Sequence, residues 1–410
     1  MTDAITLLGP FQQVLTLSGL PHAGPIRDDA LSILEDAGVL VRGGEILGVD
    51  RYSELQGSAS VLWKPPRPTV LIPGLVDSHT HIAWAGTRAR DYSLRIQGVS
   101  YQEIAAQGGG IMDTVRQTRT ASEDELASLT LQRCRALCQR GVTTVEIKSG
   151  YGLSVAEELK QLRAIRTAAA LSPARVVSTC LGAHMKGPEF SGAEDYLQLL
   201  IDQLLPQVLE EELSKRVDIF VEEGAFSVAQ ARSYLLAAKR MGFDLTLHSD
   251  QFSRGASLLA AELGARSADH LEVSEEEDLI ALRDADVVAT VLPGASLGLG
   301  IPFAPARQAL DLGCCVAMAS DWNPGSAPNG DLLSQAAFMG AQQHLSMAET
   351  FAGITFRAAR ALGLSDCGSI APGMRADFAL FPCDDYRAIL YYQGSLRPYS
   401  VWHAGAQVFG

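Results

Sequence analysis

Between residues 68 and 325 the chain alternates short β-branched apolar runs with amphipathic stretches of helical period. Eight such runs occur, at 69–81, 141–150, 174–184, 216–224, 243–250, 266–272, 285–294 and 314–321. The stretch EDELASLTLQRCRALCQR at 123–140 shows the pattern between them. There Leu126, Leu129, Cys134, Leu137 and Cys138 fall on one face at a period of 3.6 residues, and Gly141 closes the segment. Strands separated by helices predict parallel βαβ units, and eight in series predict an α/β fold built on a closed, TIM-like (β/α)8 barrel.

Outside that core the pattern changes. Residues 1–64 read as short strands joined by Gly and Pro turns, and Pro65-Pro66-Arg67-Pro68 reads as a boundary. The C-terminal stretch, with GSIAPGMRADFALFPCD and SVWHAGAQVF, also reads as strands. Neither end is long enough to bury a core alone. The expectation is one small, discontinuous β-sandwich-like domain from 1–64 and 365–410, attached to a barrel domain over 65–364.

Composition narrows the function classes. The 410 residues are 47% hydrophobic, and 33 basic against 47 acidic side chains leave a formal charge of −14. That balance, without a Lys/Arg block, argues against nucleic acid or an anionic membrane surface as a partner. The N-terminal segment carries an acid and no basic region ahead of its apolar stretch, and no apolar run is long enough to span a bilayer, so the expected location is the cytoplasm. Seven cysteines, none in a CxxC pair, suit small buried hydrophobes in a reducing compartment better than a disulfide framework or thiolate zinc site.

Candidate chemistry gathers at the ends of the predicted strands. In His79-Thr80-His81 alternate residues point the same way, so both imidazoles can converge on one ion. A bare HxH also arises by chance, and a lone histidine is commonly a hydrogen-bonded rim residue. Position is what favours a site, because His184, His248, His270 and Asp321 also stand at strand ends, where barrel enzymes place their catalytic groups. Imidazoles with a carboxylate suit Zn²⁺ or Fe²⁺ better than Mg²⁺ or Ca²⁺.

VDSHTH after the first strand, single histidines on the fifth and sixth, and SD on the eighth resemble the amidohydrolase superfamily of metal-dependent barrel hydrolases. Longer stretches narrow the resemblance to one branch: GTRARDYSLRIQGVSYQEIAAQGGGI at 86–111, EIKSGYGL at 146–153, LGAH at 181–184, SADHLE at 267–272 and SDWNPGS at 320–326. That branch hydrolyses a cyclic amide C–N bond, opening 4-imidazolone-5-propanoate to N-formimidoyl-L-glutamate in histidine degradation. The resemblance implies one divalent ion, zinc or iron, held by His79, His81, His248 and Asp321. It makes Asp321 the acceptor of the water proton and His270 a charge-stabilising or proton-relaying partner.

The substrate implied is a small anion. The resemblance makes Arg88 its carboxylate clamp, a role suited to bidentate guanidinium, although a lone Arg is more simply an ion-pair partner for Asp91. Tyr151 and His184 are carried over as contacts to carboxylate and ring, with Tyr101 a secondary candidate equally explained by packing under the loop. Asn323, Gly325 and Ser326 form a tight turn whose side chains and N–H groups offer further contacts to substrate or product. Gln251 stands where relatives have Glu or an amide; it can orient a ring but cannot transfer a proton.

Glu222-Glu223 ends the fourth run where a two-metal site needs a bridging lysine, so one ion is expected, and Lys148 is expected to pair with neighbouring acid. Two competing readings are a related deaminase acting on a neutral ring and a metal-free barrel serving as a binding module. A homodimer is compatible with the frequency of twofold pairs among soluble enzymes.

Overall fold

The computed structural model describes residues 4–410, apart from the side chains of residues 101, 102 and 105. The strands are β1 (Thr6–Leu15), β2 (Ile33–Arg42), β3 (Glu45–Arg51), β4 (Val61–Trp63), β5 (Val70–Pro73), β6 (Leu75–Asp77), β7 (Val142–Lys148), β8 (Arg175–Ala183), β9 (Arg216–Ile219), β10 (Asp244–Ser249), β11 (Ser267–His270), β12 (Val288–Val291), β13 (Val316–Met318), β14 (Phe378–Phe381), β15 (Ser400–His403) and β16 (Ala406–Phe409).

Strands β6 to β13 form one parallel sheet in chain order. Its two edges meet beyond the ends of β6 and β13: Asp321 N donates to His79 O at 3.0 Å and His81 N to Trp322 O at 3.0 Å, closing the barrel. The seam is fixed further by Asp77, whose Oδ1 accepts from Ser320 N at 2.9 Å and whose Oδ2 accepts from Ser320 Oγ at 2.5 Å. The strand positions are buried throughout most of the barrel, because helices cover the outer face. The helix expected after Ser122 runs Glu123–Cys138, with the Ser122 side chain accepting from Glu125 N and Leu126, Cys134, Leu137 and Cys138 buried.

The other strands form a mixed sheet in the order β16-β15-β14-β5-β1-β2-β3, which branches where β4 also pairs with β1. Leu8, Phe11, Val39, Phe378 and Trp402 belong to a core of its own. One expectation is corrected here. The run 69–81, expected to form a single barrel strand in a domain beginning at 65, divides between two sheets: Val70–Pro73 pairs with β1 and β14, and only Leu75–Asp77 enters the barrel. Gly74 marks the change of sheet: a Cβ there would lie 2.1 Å from Thr143 Oγ1.

All seven cysteines are free, and all but Cys383 are buried. Among the described residues no helix is long and apolar enough to cross a membrane.

Candidate active site

The strand ends on one rim bring His79, His81, His248, His270 and Asp321 together. His81 Nε2 lies 3.2 Å from both His79 Nε2 and His248 Nε2, and Asp321 Oδ1 lies 3.3 Å from His81 Nε2 and 3.6 Å from His79 Nε2. Four ligands at 2.0–2.1 Å around a tetrahedral Zn²⁺ stand about 3.3–3.4 Å apart, so these spacings suit a single ion.

The tautomers agree. His79 Nδ1 is 2.7 Å from Asp269 Oδ2, and His248 Nδ1 is 2.9 Å from Asp218 Oδ2. A proton held at each Nδ1 leaves the Nε2 lone pairs of His79 and His248 turned toward His81, the orientation in which they can bind an ion. Burial, aided by neighbouring cations, keeps His79 well below the ordinary histidine range. Burial likewise lowers His81 to about 4 against the opposing pull of Asp321. Asp321 is ionised: burial pushes its carboxyl up, but His81, His270 and His248 outweigh this and hold it below the usual range. Neutral imidazoles and a carboxylate are the forms that bind a metal.

Asp321 is also held mechanically. Asn323 Nδ2 donates to Asp321 Oδ2 at 2.9 Å and to Asp321 O at 2.8 Å, while Asn323 Oδ1 accepts from Gly325 N and Ser326 N, both at 2.8 Å. The N–H groups expected to meet substrate are therefore engaged inside the turn. Asp321 itself has φ of 49°, and His270 has φ of 92°; backbone strain of this kind accumulates where side-chain placement is constrained.

His270 stands beside the cradle, its ring centroid 5.2 Å from that of His248. Its Nδ1 faces Glu272 Oε2 at 3.5 Å, which leaves Nε2 as the free ring nitrogen. Burial lowers its pKa, but Glu272 together with Asp321 and Asp269 outweighs this, so the group sits above the ordinary histidine value.

Above this floor opens a cavity of about 450 Å³. Arg88, Tyr151, His184, Gln251, Gly325 and Ser326 line it, together with His81, His248, His270, Asp321 and Asn323, whereas His79 lies buried beneath. The side chain of Tyr101 lies outside the described residues. His184 stacks on His81 with ring centroids 5.2 Å apart and its Nδ1 3.0 Å from Gly150 O. Arg88 makes the anticipated ion pair with Asp91. Its Nε pairs with Asp91, and its terminal nitrogens, without a described hydrogen bond, belong to a guanidinium on the cavity wall.

Other residues support these groups. Asp91 also accepts from Gly110 N at 2.9 Å, and a Cβ at Gly109 would lie 2.5 Å from Asp91 Oδ1, so these glycines allow close packing against the Arg88–Asp91 pair. Asp218 and Asp269 orient the imidazoles; the signal at Asp218 is an acid between the apolar Val217 and Ile219, whereas Asp269 stands in the mostly polar strand Ser267–His270. Lys148 pairs with acid as expected, 2.8 Å from Glu146 Oε1 and 2.9 Å from Asp218 Oδ2. Glu222 accepts from Phe252 N at 2.9 Å and Ser253 N at 3.0 Å. Asp250 is structural, its Oδ1 accepting from Gly255 N and Ala256 N at 3.0 Å.

A family model described as amidohydrolase matches residues 70–408. An imidazolonepropionase of Symbiobacterium thermophilum is 42% identical over 391 residues, 93% of this chain and 92% of its own. Another, of Rubrobacter xylanophilus, is 43% identical over 386 residues, 91% of each chain. Among solved structures, an atrazine chlorohydrolase of Arthrobacter aurescens complexed with zinc aligns with TM-score 0.72 at 17% identity, covering 98% of this chain and 95% of its own. An adenosine deaminase of Xanthomonas campestris with bound zinc aligns with TM-score 0.72 at 18% identity, covering 99% and 92%. At these identities the two structures speak to the fold alone.

Proposed function

The chain belongs to the amidohydrolase family and is a hydrolase, and from that premise we propose that it opens 4-imidazolone-5-propanoate to N-formimidoyl-L-glutamate. The activity is that of histidine degradation, as in the imidazolonepropionases it matches over nine-tenths of its length. The observation that carries the site reading is the convergence of three imidazole nitrogens and one ionised carboxylate at the floor of a cavity with a guanidinium in its wall.

His79, His81, His248 and Asp321 would hold one divalent ion, zinc or iron. Such an ion supplies Lewis acidity, polarising a carbonyl and acidifying water toward neutral pH. Arg88 receives the propanoate through its terminal nitrogens, while Asp91 fixes its Nε end. Tyr151 and His184 form the wall against which the ring rests, and Gln251 offers a donor and an acceptor to its polar edge.

Asp321, ionised and held through Oδ2 by Asn323, accepts a proton from the attacking water. His270 turns Nε2 to the carbonyl oxygen and stabilises the charge that develops there. Water adds to the carbonyl carbon, the ring C–N bond breaks, and the proton taken by Asp321 passes to the departing nitrogen.

Competition between an imidazolone propanoate and its neutral propanamide tests the substrate assignment. The carboxylate form should show a kcat/KM at least tenfold higher, about 1.4 kcal/mol of selectivity. Equal values, or preference for an amino-substituted neutral ring, would favour a deaminase. Elemental analysis of the purified protein should find about one equivalent of zinc or iron.

A further inference from the structure

Beneath the cradle lies a buried charge cluster that the hydrolytic steps do not use. Lys148 ends β7 with only 1% of its side chain exposed, and its ammonium contacts Glu146 Oε1 at 2.8 Å and Asp218 Oδ2 at 2.9 Å. Each acid continues toward the imidazoles. Asp218 Oδ2 faces His248 Nδ1 at 2.9 Å, and its Oδ1 accepts from His248 N at 3.1 Å. Glu146 Oε2 accepts from Thr80 N at 3.1 Å, and Glu146 O accepts from Thr80 Oγ1 at 2.6 Å. Thr80 is the residue between His79 and His81. Lys148 also binds it directly, donating its backbone N–H to Thr80 O at 2.9 Å.

We propose that Lys148 is a positioning residue for the metal cradle, holding His248 through Asp218 and the His79-Thr80-His81 segment through Glu146 and Thr80. The inference rests on the metal reading above and extends it to a residue that touches neither ion nor substrate. The physical reason is charge balance. Two buried carboxylates cannot both remain ionised around an apolar barrel interior without a counter-charge. Without the ammonium bridging them, Glu146 and Asp218 lose their shared partner and are free to move apart, and that shift displaces the imidazole or the backbone N–H that each holds. A carboxylate behind a ligating histidine fixes ring orientation, and losing such a partner typically weakens metal binding by about 10–100-fold. Lys148 thereby acts on all the imidazole ligands from a single point.

The experiment compares wild type with Lys148→Met, which keeps chain length and removes charge. Affinity for Zn²⁺ and Co²⁺ is measured by competition with a chromophoric chelator, the cobalt absorption bands report coordination geometry, and thermal unfolding of the metal-free proteins reports fold. The proposal expects metal affinity to fall by about tenfold or more with altered cobalt bands, in a variant whose metal-free form still unfolds cooperatively. A smaller loss with unchanged bands overturns it, even if the variant is less heat-stable, because that pattern describes a purely structural lysine. Should Lys148→Met fail to fold, Lys148→Gln, which retains a donor without the charge, takes the same measurements. A wild type that binds neither metal would defeat the metal reading itself, a result distinct from a wild type and variant that bind equally.

Discussion

Asn323 grips Asp321 at two points, donating from Nδ2 to the Oδ2 carboxylate oxygen at 2.9 Å and to the backbone carbonyl at 2.8 Å. With Oδ2 so held, Oδ1 is the oxygen turned toward His81, 3.3 Å away. The turn residue thus aims the carboxylate. Asn323→Ala should lower kcat by about tenfold or more while leaving KM within threefold, since it removes orientation of a proton acceptor rather than a substrate contact. It also leaves Gly325 N and Ser326 N without their acceptor, for about 1–3 kcal/mol of lost stability. Steady-state kinetics decide: a raised KM with intact kcat would make Asn323 a substrate ligand instead.

Arg88 is the cation assigned to the propanoate. Arg88→Ala should raise KM for the imidazolone propanoate more than tenfold, about 1.4 kcal/mol or more of lost binding, with a smaller effect on the neutral propanamide. An unchanged KM would return Arg88 to its role as an ion-pair partner of Asp91.

His270 gives a pH prediction with a definite sign. Burial acts to lower its pKa, and the carboxylates of Glu272, foremost, and of Asp321 and Asp269 together raise it by more. In Glu272→Gln the largest raising influence disappears while burial persists, so the pKa of His270 must fall. The limb of the kcat–pH profile governed by His270 therefore moves to lower pH. A profile superimposable on the wild type would remove His270 from the titrating groups that control turnover.

The convergence of these side chains was legible in the sequence because polar groups at barrel strand ends share one rim. His79, His81, His248 and Asp321 each follow or end an apolar run, and the eight runs locate one rim. The supporting acids were not legible in the same way, because their partners are distant along the chain: Asp269 meets His79 across 190 residues. An acid in an apolar strand signals only that some partner exists. The passage from β5 to β6 was hidden for a related reason. Consecutive apolar residues on both sides of Gly74 look the same whether they fill one sheet or two, and only the pairing of Val70–Pro73 with β1 and β14 separates them. Asn323 read correctly as a turn former, but a turn pattern carries no record of which neighbour its amide will hold.

The barrel seam makes a stability prediction. Burial pushes the Asp77 carboxyl from 3.8 up to about 7, against hydrogen bonds from Ser320 that favour its ionised form. Between those values the native state holds a proton that the unfolded chain has released, so this group makes stability fall as pH rises from about 4 to about 7. Asp77→Asn cannot titrate and should flatten that part of the stability profile, gaining on the wild type as pH rises. Thermal or denaturant unfolding across the window checks it; parallel profiles for the two proteins would mean that Asp77 is ionised throughout.

The central claim, a metal cradle serving an imidazolone hydrolase, is tested most directly by following the ultraviolet absorbance of 4-imidazolone-5-propanoate with the purified protein before and after chelation. The account predicts loss of substrate with stoichiometric appearance of N-formimidoyl-L-glutamate, abolition of turnover when the metal is removed, and recovery when zinc or iron is restored. Failure of the metal-replete protein to consume this substrate, or turnover that persists at full rate in the verified metal-free protein, would contradict it.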